Sequence, residues 1–372
     1  MFPINTDIKL KNYAFPSIGQ YANVIATVNR KCTYIGDDEN GDPIYDKMLG
    51  KPTLKFVGTT KLHGTNAGIV FDFHNKQVYY ESRESILTAE SDNAGFANYM
   101  ISIQNQFTDM VMNFLETHPD EPDMATDWSK NVLVIYGEWC GGSIQKGVAL
   151  NGLEKMFVIF NATIRIRENT ESRNNKWFGI EDVKQLKLTD KKIHNIYDFP
   201  TWEIEVDFEK HHEVINKLIE MTVAVEDECP VAKQFGSIGT GEGIVFICIT
   251  PGYNNSDFWF KSKGEKHAKS KVKTLRPVDN EKINRLIDLA EKITPSWRLE
   301  QMFNETFKTQ NNTPITREKL GDYIKAVNND ICKEEMLTLE EAGVQFKEVV
   351  GYVSKITRDY FFQMELELAS KL

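Results

Sequence analysis

Leu54-Lys55-Phe56-Val57-Gly58-Thr59-Thr60-Lys61-Leu62-His63-Gly64-Thr65-Asn66-Ala67-Gly68-Ile69-Val70-Phe71-Asp72-Phe73 reads as two strands joined by a polar turn. The runs Leu54–Val57 and Ala67–Phe73 are rich in β-branched and aromatic residues, which suit a pleated, half-buried surface. His63-Gly64-Thr65-Asn66 between them has turn composition, and Lys61 stands at its rim, where a long amine can project into a cleft. Similar apolar runs recur at Val132–Tyr136, Met156–Ile159, Trp202–Phe208, Gly243–Ile249 and Phe258–Phe260. Trp202–Phe208 alternates strictly, as a strand with one solvated face does. Ala97–Leu115 and Lys210–Val225 instead carry apolar residues at helical spacing. Glu168–Lys176, polar and rich in Asn, reads as an exposed loop.

The character changes around Pro277. Asp279 is placed to cap a helix through Ile283, Leu286, Ile287 and Ile293 that stops before Pro295. Leu320, Tyr323, Ile324 and Val327 share a helical face. Thr338 and Glu341 have the spacing of a capping box for a last helix through Val350, Val353, Ile356 and Tyr360. The expectation is an α+β domain over 1–275 followed by an all-helical domain over 276–372.

Two domains also suit a length of 372 residues. Composition is ordinary for a globular chain, with 41% hydrophobic and 26% charged residues, and no internal repeat or low-complexity tract is visible. No apolar run approaches the ~18 residues of a membrane span, and Met1–Lys11 lacks a signal-peptide layout. Cys32, Cys140, Cys229, Cys248 and Cys332 lie far apart with no CxxC pair, which fits a reducing, cytoplasmic setting and no zinc site. A net charge of −10 argues against a uniformly basic, nucleic-acid-coating surface. One basic face suffices, however, and Lys261–Arg276 (KSKGEKHAKSKVKTLR) holds seven Lys/Arg against the single acid Glu265.

Lys61 heads a KxxG sequence, but so do Lys47, Lys55, Lys176, Lys233 and Lys261, so that pattern alone decides nothing. What sets Lys61 apart is its position between strands. With an ordinary pKa near 10.4, only about one lysine in a few thousand is unprotonated at pH 7. A nucleophilic lysine therefore needs cations or desolvation around it. Lys261 and Lys263, alternating on a strand-like run, can supply the former.

In this setting Lys61–Asn66 (KLHGTN) resembles the nucleophile motif of the covalent nucleotidyltransferase superfamily, and its continuation resembles the RNA ligase 2 family within it. Ser82-Arg83, Tyr136-Gly137-Glu138, Val158-Ile159-Phe160, Glu242-Gly243-Ile244-Val245 and Phe260-Lys261-Ser262-Lys263 are similar to the family's further motifs, in the family's order. The resemblance covers roughly residues 15–275 and implies an adenylation domain built on antiparallel sheets. It implies an ATP-dependent RNA ligase that joins 3′-OH and 5′-phosphate RNA ends through a lysyl–AMP at Lys61. Glu138 would bind ribose, Phe160 and Val245 would sandwich adenine, and Lys261 and Lys263 would hold the α-phosphate. Arg83 would contact phosphate, Glu242 would help bind Mg²⁺ or Mn²⁺, and His63 and Asn66 would serve the RNA-joining steps. Thr60 and Gly64 complete the nucleotide-contacting set.

Three positions depart from the family's pattern: Thr60 where an acid is common, Asn161 after the aromatic residue, and Ile247-Cys248 where a lysine often follows. A helical tail, in place of the short strands of an OB-fold, favours RNA joining over capping or DNA ligation, and it is expected to serve sealing more than AMP loading. The alternatives are a DNA or mixed-nick ligase of the same superfamily and a non-catalytic RNA-binding relative. A monomer acting on RNA, with no membrane partner, is expected.

Overall fold

A computed structural model describes residues 10–37, 41, 43–46, 49–117, 127–168, 175–267, 274–309 and 315–369. The chain divides into two compact units, one of Met1–Thr27, Thr53–Asp207 and Val214–Arg276, the other of Val28–Pro52, Phe208–Glu213 and Pro277–Leu372. The strands in order are β1 (Gly19–Gln20), β2 (Tyr34–Asp37), β3 (Pro43–Tyr45), β4 (Thr53–Thr60), β5 (Thr65–Asp72), β6 (Gln77–Ser82) and β7 (Ile86–Leu87). There follow β8 (Asn131–Cys140), β9 (Met156–Ile166), β10 (Lys176–Trp177), β11 (Ile193–Asn195), β12 (Thr201–Asp207), β13 (Gly243–Cys248) and β14 (Phe260–Lys263).

The first unit holds two sheets. One has the order β1-β14-β13-β4-β12, the other β10-β9-β8-β5-β6-β7 with β11 beside β9. Pairing is antiparallel except for β1 on β14 and β11 on β9. The α+β expectation, antiparallel sheets and then helices, is what the chain adopts. The opening stretch, however, is not a hairpin, because β4 belongs to one sheet and β5 to the other. Lys61–Gly64 carries the chain across.

Ala67, Ile69, Phe71, Leu133, Ile135 and Phe157 bury one face of the larger sheet, against the helices Phe96–Ser102 and Gln104–Thr117. Each such Leu, Ile or Phe side chain contributes roughly 1.5–3 kcal/mol on leaving water. Between β8 and β9 the register slips: Gly137 faces Ile159 while Tyr136 faces Asn161, leaving Phe160 as an extra residue. This β-bulge re-aims the side chains that follow it. Gly137 permits it, since a Cβ there would lie 2.5 Å from the Phe157 ring.

The other face of that sheet carries buried polar groups. Arg165 is fully buried and donates to the Tyr13 carbonyl at 2.7 Å and the Tyr136 hydroxyl at 3.0 Å. Glu81, 1% exposed, accepts the Tyr13 N–H at 2.7 Å. Buried groups of this kind are costly unless bonded, so the pairings pin the N-terminal segment in place.

In the second unit Leu286, Ile293, Phe303, Tyr323, Val353 and Phe361 form the core of a helical cluster. Asp279 caps Asn280–Ile293 as expected, its carboxylate accepting the Lys282 N–H at 2.9 Å. Three expectations need correction. Thr338 and Glu341 do not start the last helix; both lie inside Met336–Glu341, beyond which Gly343 turns the chain with φ of +64°. Phe346–Ala369 begins beyond it, where Glu348 accepts the Gln345 N–H at 3.1 Å. The reciprocal bond of a capping box is thus made seven residues past the sequence match. Phe258 ends a 3-10 turn (Ser256–Phe258), and the strand starts at Phe260. The helix expected from Lys210 begins at Ile215. Most of the expected loop, 169–174, lies outside the described residues. Among the described residues no helix is long and apolar enough to cross a membrane.

Burial pushes the Glu81 carboxyl up, against the Tyr13 N–H and Arg165, from 4.5 to about 8. The folded chain therefore keeps a proton that the unfolded chain has lost, and stability should fall as pH rises from about 4.5 to about 8. Glu81→Gln should flatten this fall, whose slope is at most about 1.4 kcal/mol per pH unit. Denaturation midpoints at pH 5.5 and 8 for both proteins check it.

Candidate active site

Between the two sheets of the first unit lies a cavity of about 220 Å³. The smaller sheet contributes Thr59, Val245, Ile247, Lys261 and Lys263, and the larger contributes Asn66, Glu138, Phe160 and Asn161. Register explains the first set, since Thr59 pairs with Val245 and Val245 with Lys261, one row across three strands. Neighbours in such a row point the same way. In the second set, Asn66 faces Glu138 across β5 and β8. Phe160 and Asn161 both reach the cavity through the β-bulge. A hollow of about 450 Å³ shares Lys61, Asn66, Arg83 and Glu138 with the cavity and continues past His63 and Gly64.

The crossing segment is held at both ends. The Lys61 N–H donates to the Gly243 carbonyl at 2.8 Å, and the Gly64 N–H donates to Glu138 at 2.9 Å. A Cβ on Gly64 would stand 2.3 Å from the Trp139 carbonyl oxygen, so only glycine fits.

Charge is concentrated at one end. The Glu242 carboxylate, buried, accepts from Lys61 Nζ at 2.7 Å and Lys263 Nζ at 2.5 Å, and lies 3.1 Å from His63 Nδ1. Burial pushes its carboxyl up, but the His63 bond, the Lys61 charge and the Lys263 bond outweigh burial and hold it well below the usual range. Burial, then Lys263, Lys61 and Arg83, push the Lys261 ammonium down. Burial raises the Glu138 carboxyl, opposed by Lys61 and the Gly64 N–H. Among the described residues neither Lys261 nor Arg83 has an ion-pair partner. Much of the remaining lining is apolar, with Phe15, Ile18, Phe160, Ile196, Val245 and Ile247. Such a cavity suits a ligand that is anionic at one end and flat and apolar at the other.

The expected residues are largely brought together. Lys61, Asn66, Arg83, Glu138, Phe160, Val245, Lys261 and Lys263 border the cavity, His63 and Gly64 border the adjoining hollow, and Glu242 lies beneath Lys61 and Lys263. Thr60 also borders the cavity, but its side chain stands in the row with Ile244 and Ser262 on the sheet's other face. Its hydroxyl is buried there without a partner among the described residues. Phe15, Ile18, Thr59, Ile196 and Tyr197 were not anticipated. The first two are strapped in by Tyr13's hydrogen bonds, and no local pattern signals that. Of the basic segment, 268–273 lies outside the described residues. No group of three or more His, Cys, Asp or Glu residues among the described residues forms a ready-made metal cage. Mg²⁺ is commonly bound by one or two carboxylates with phosphates and water, a donor set that Glu242 and Glu138 fit.

A family model described as RNA ligase matches residues 54–263. No curated protein matches the chain. Three solved structures of an RNA ligase from Naegleria gruberi are similar to it, each with a TM-score of 0.39. They are a variant with ATP and Mn (16% identity, 69% of this chain, 58% of that one), the protein with PPi (16%, 71% and 62%) and a variant with AMP and Mn (14%, 69% and 58%). The match spans about three fifths of the length of those chains, and a likeness of this degree carries no argument.

Gly64→Ala should destabilise the chain by about 1–3 kcal/mol, the range of an overpacked site, because a backbone carbonyl cannot step aside. Chemical denaturation of the purified variant measures it.

Proposed function

The chain belongs to the RNA ligase family, and from that premise we propose that it joins RNA 3′-OH and 5′-phosphate ends at the expense of ATP, through a lysyl–AMP at Lys61. The observation that carries the reading is one cavity bordered by Lys61, Glu138, Phe160, Val245, Lys261 and Lys263. The adenine ring lies between Phe160 and Val245, an aromatic face and an aliphatic one. Glu138 accepts from the ribose hydroxyls. Lys261, Lys263 and Arg83 take the phosphates, where fixed cations favour the charge that develops on phosphorus.

Lys61 first exchanges Glu242 for the nucleotide. Its deprotonated Nζ then attacks the α-phosphorus, the bond to the bridging oxygen breaks, and pyrophosphate leaves. An RNA 5′-phosphate oxygen next attacks the same phosphorus and releases Lys61, leaving AMP on the RNA end. A neighbouring 3′-OH displaces that AMP and forms the phosphodiester. His63 and Asn66, along the adjoining hollow, serve these later steps. Mg²⁺ or Mn²⁺ supplies charge neutralisation at the phosphates when bound, and Glu242 is the carboxylate that would help hold it. Adenylation belongs to residues 1–275, and the helical segment 276–372 supports sealing.

Incubation with Mg²⁺ and α-labelled ATP, without RNA, should leave acid-labile label on the wild type and none on Lys61→Ala. Label on both would move the nucleophile elsewhere, and label on neither would favour a non-catalytic RNA binder. With nicked RNA, binding through the Lys and Arg groups should weaken steeply between about 50 and 200 mM salt.

A further inference from the structure

We propose that Thr59, with Asn161, reads the edge of the nucleotide base, and that Thr60 does not; this rests on the adenylation reading above. Side chains alternate along a strand. On β4, Leu54, Phe56 and Thr60 face away from the cavity; a Cβ on Gly58 would meet the Phe246 ring at 2.6 Å and Ile244 at 3.0 Å on that same side. Thr60 pairs with Ile244, and Ile244 with Ser262, whose hydroxyl accepts from Thr222 at 2.7 Å beneath the sheet. Thr59 instead stands beside Val245, with Lys261 on Val245's other flank. A base lying flat on Val245 with its phosphates toward Lys261 therefore turns its far edge to Thr59. Thr59 is 7% exposed and makes no side-chain hydrogen bond among the described residues. Asn161, 4% exposed, uses Oδ1 to accept the Ala162 N–H at 2.9 Å, so its amide N–H groups are the donors left for a ligand.

The chemistry of this pair sets the selectivity. A carboxylate only accepts, so it would require the 6-amino group of adenine and repel a 6-oxo group. A threonine hydroxyl rotates to accept from the first or donate to the second. The Asn161 amide donates to a ring nitrogen or a 6-oxo oxygen alike. The cavity should therefore admit a 6-oxopurine with little penalty.

Inosine triphosphate, which differs from ATP only at that edge, is the probe. With α-labelled ATP and inosine triphosphate, the wild type should transfer label with kcat/KM values within about tenfold of each other. Thr59→Val should raise KM for both while leaving kcat nearly unchanged, and Thr59→Ser should restore the wild-type values. Thr59→Asp should tilt the ratio toward ATP by at least about tenfold. Thr60→Val should leave the ratio as it is. A ratio that follows Thr60 and ignores Thr59 overturns the assignment, and so does a wild type that rejects inosine triphosphate by 100-fold or more. If no nucleotide labels the wild type, the adenylation reading fails on its own. AMP and IMP titrated against thermal unfolding of the same variants then decide base reading separately, and equal shifts for wild type and Thr59→Asp with both ligands overturn it.

Discussion

Four residues, Lys61 to Gly64, carry the chain from one sheet to the other, and both ends of that crossing are tied down. The Lys61 N–H is bound to β13 and the Gly64 N–H to the Glu138 carboxylate on β8. The two sheets are thus joined at a fixed point. The amine that leaves that point must enter the space between them, because Thr59 and Lys61 share a strand face. Nearly everything else in the cavity is placed relative to this tether: the row Thr59–Val245–Lys261 on one wall and the pair Asn66–Glu138 on the other.

The electrostatics follow from the same geometry. Two lysines and a histidine converge on one buried carboxylate, Glu242, and burial of a single charge in that position would be prohibitive without them. Lys261 and Arg83, by contrast, face the cavity without a direct ion pair among the described residues, with Glu242 and Glu138 acting on them only through space. Lys61, Lys261, Lys263 and Arg83 therefore outnumber the two carboxylates, Glu242 and Glu138, around the cavity. An incoming polyanion meets two cations at once and can compete with Glu242 for two more.

Much of this was legible in the sequence. Alternation and β-branched runs marked β4, β5, β8, β9, β12 and β13, and Asp279 marked its helix, because each signal is local. The ordered motifs brought Lys61, Glu138, Phe160, Glu242, Lys261 and Lys263 into a single expectation. What could not be read was non-local. The bulge that turns Phe160 and Asn161 to one side depends on a register between two strands. The face on which Thr59 or Thr60 stands depends on where the alternation is anchored, and a one-residue shift exchanges them. Phe15 is held at the cavity with the help of Glu81, Tyr136 and Arg165, none of them near it in the chain.

The N-terminal wall has a further consequence, for the order of assembly. Phe15 and Lys263 border the same cavity, and Gly19 pairs directly with Phe260. During synthesis the residues that close the apolar end emerge first, yet the strand they dock on is among the last of the unit to appear. Until then Phe15 has no finished surface to bury against. The cavity is consequently a late product of folding, closed by contacts of very long sequence separation, and a nascent chain that stops before β14 carries the Lys61 crossing but no chamber around it.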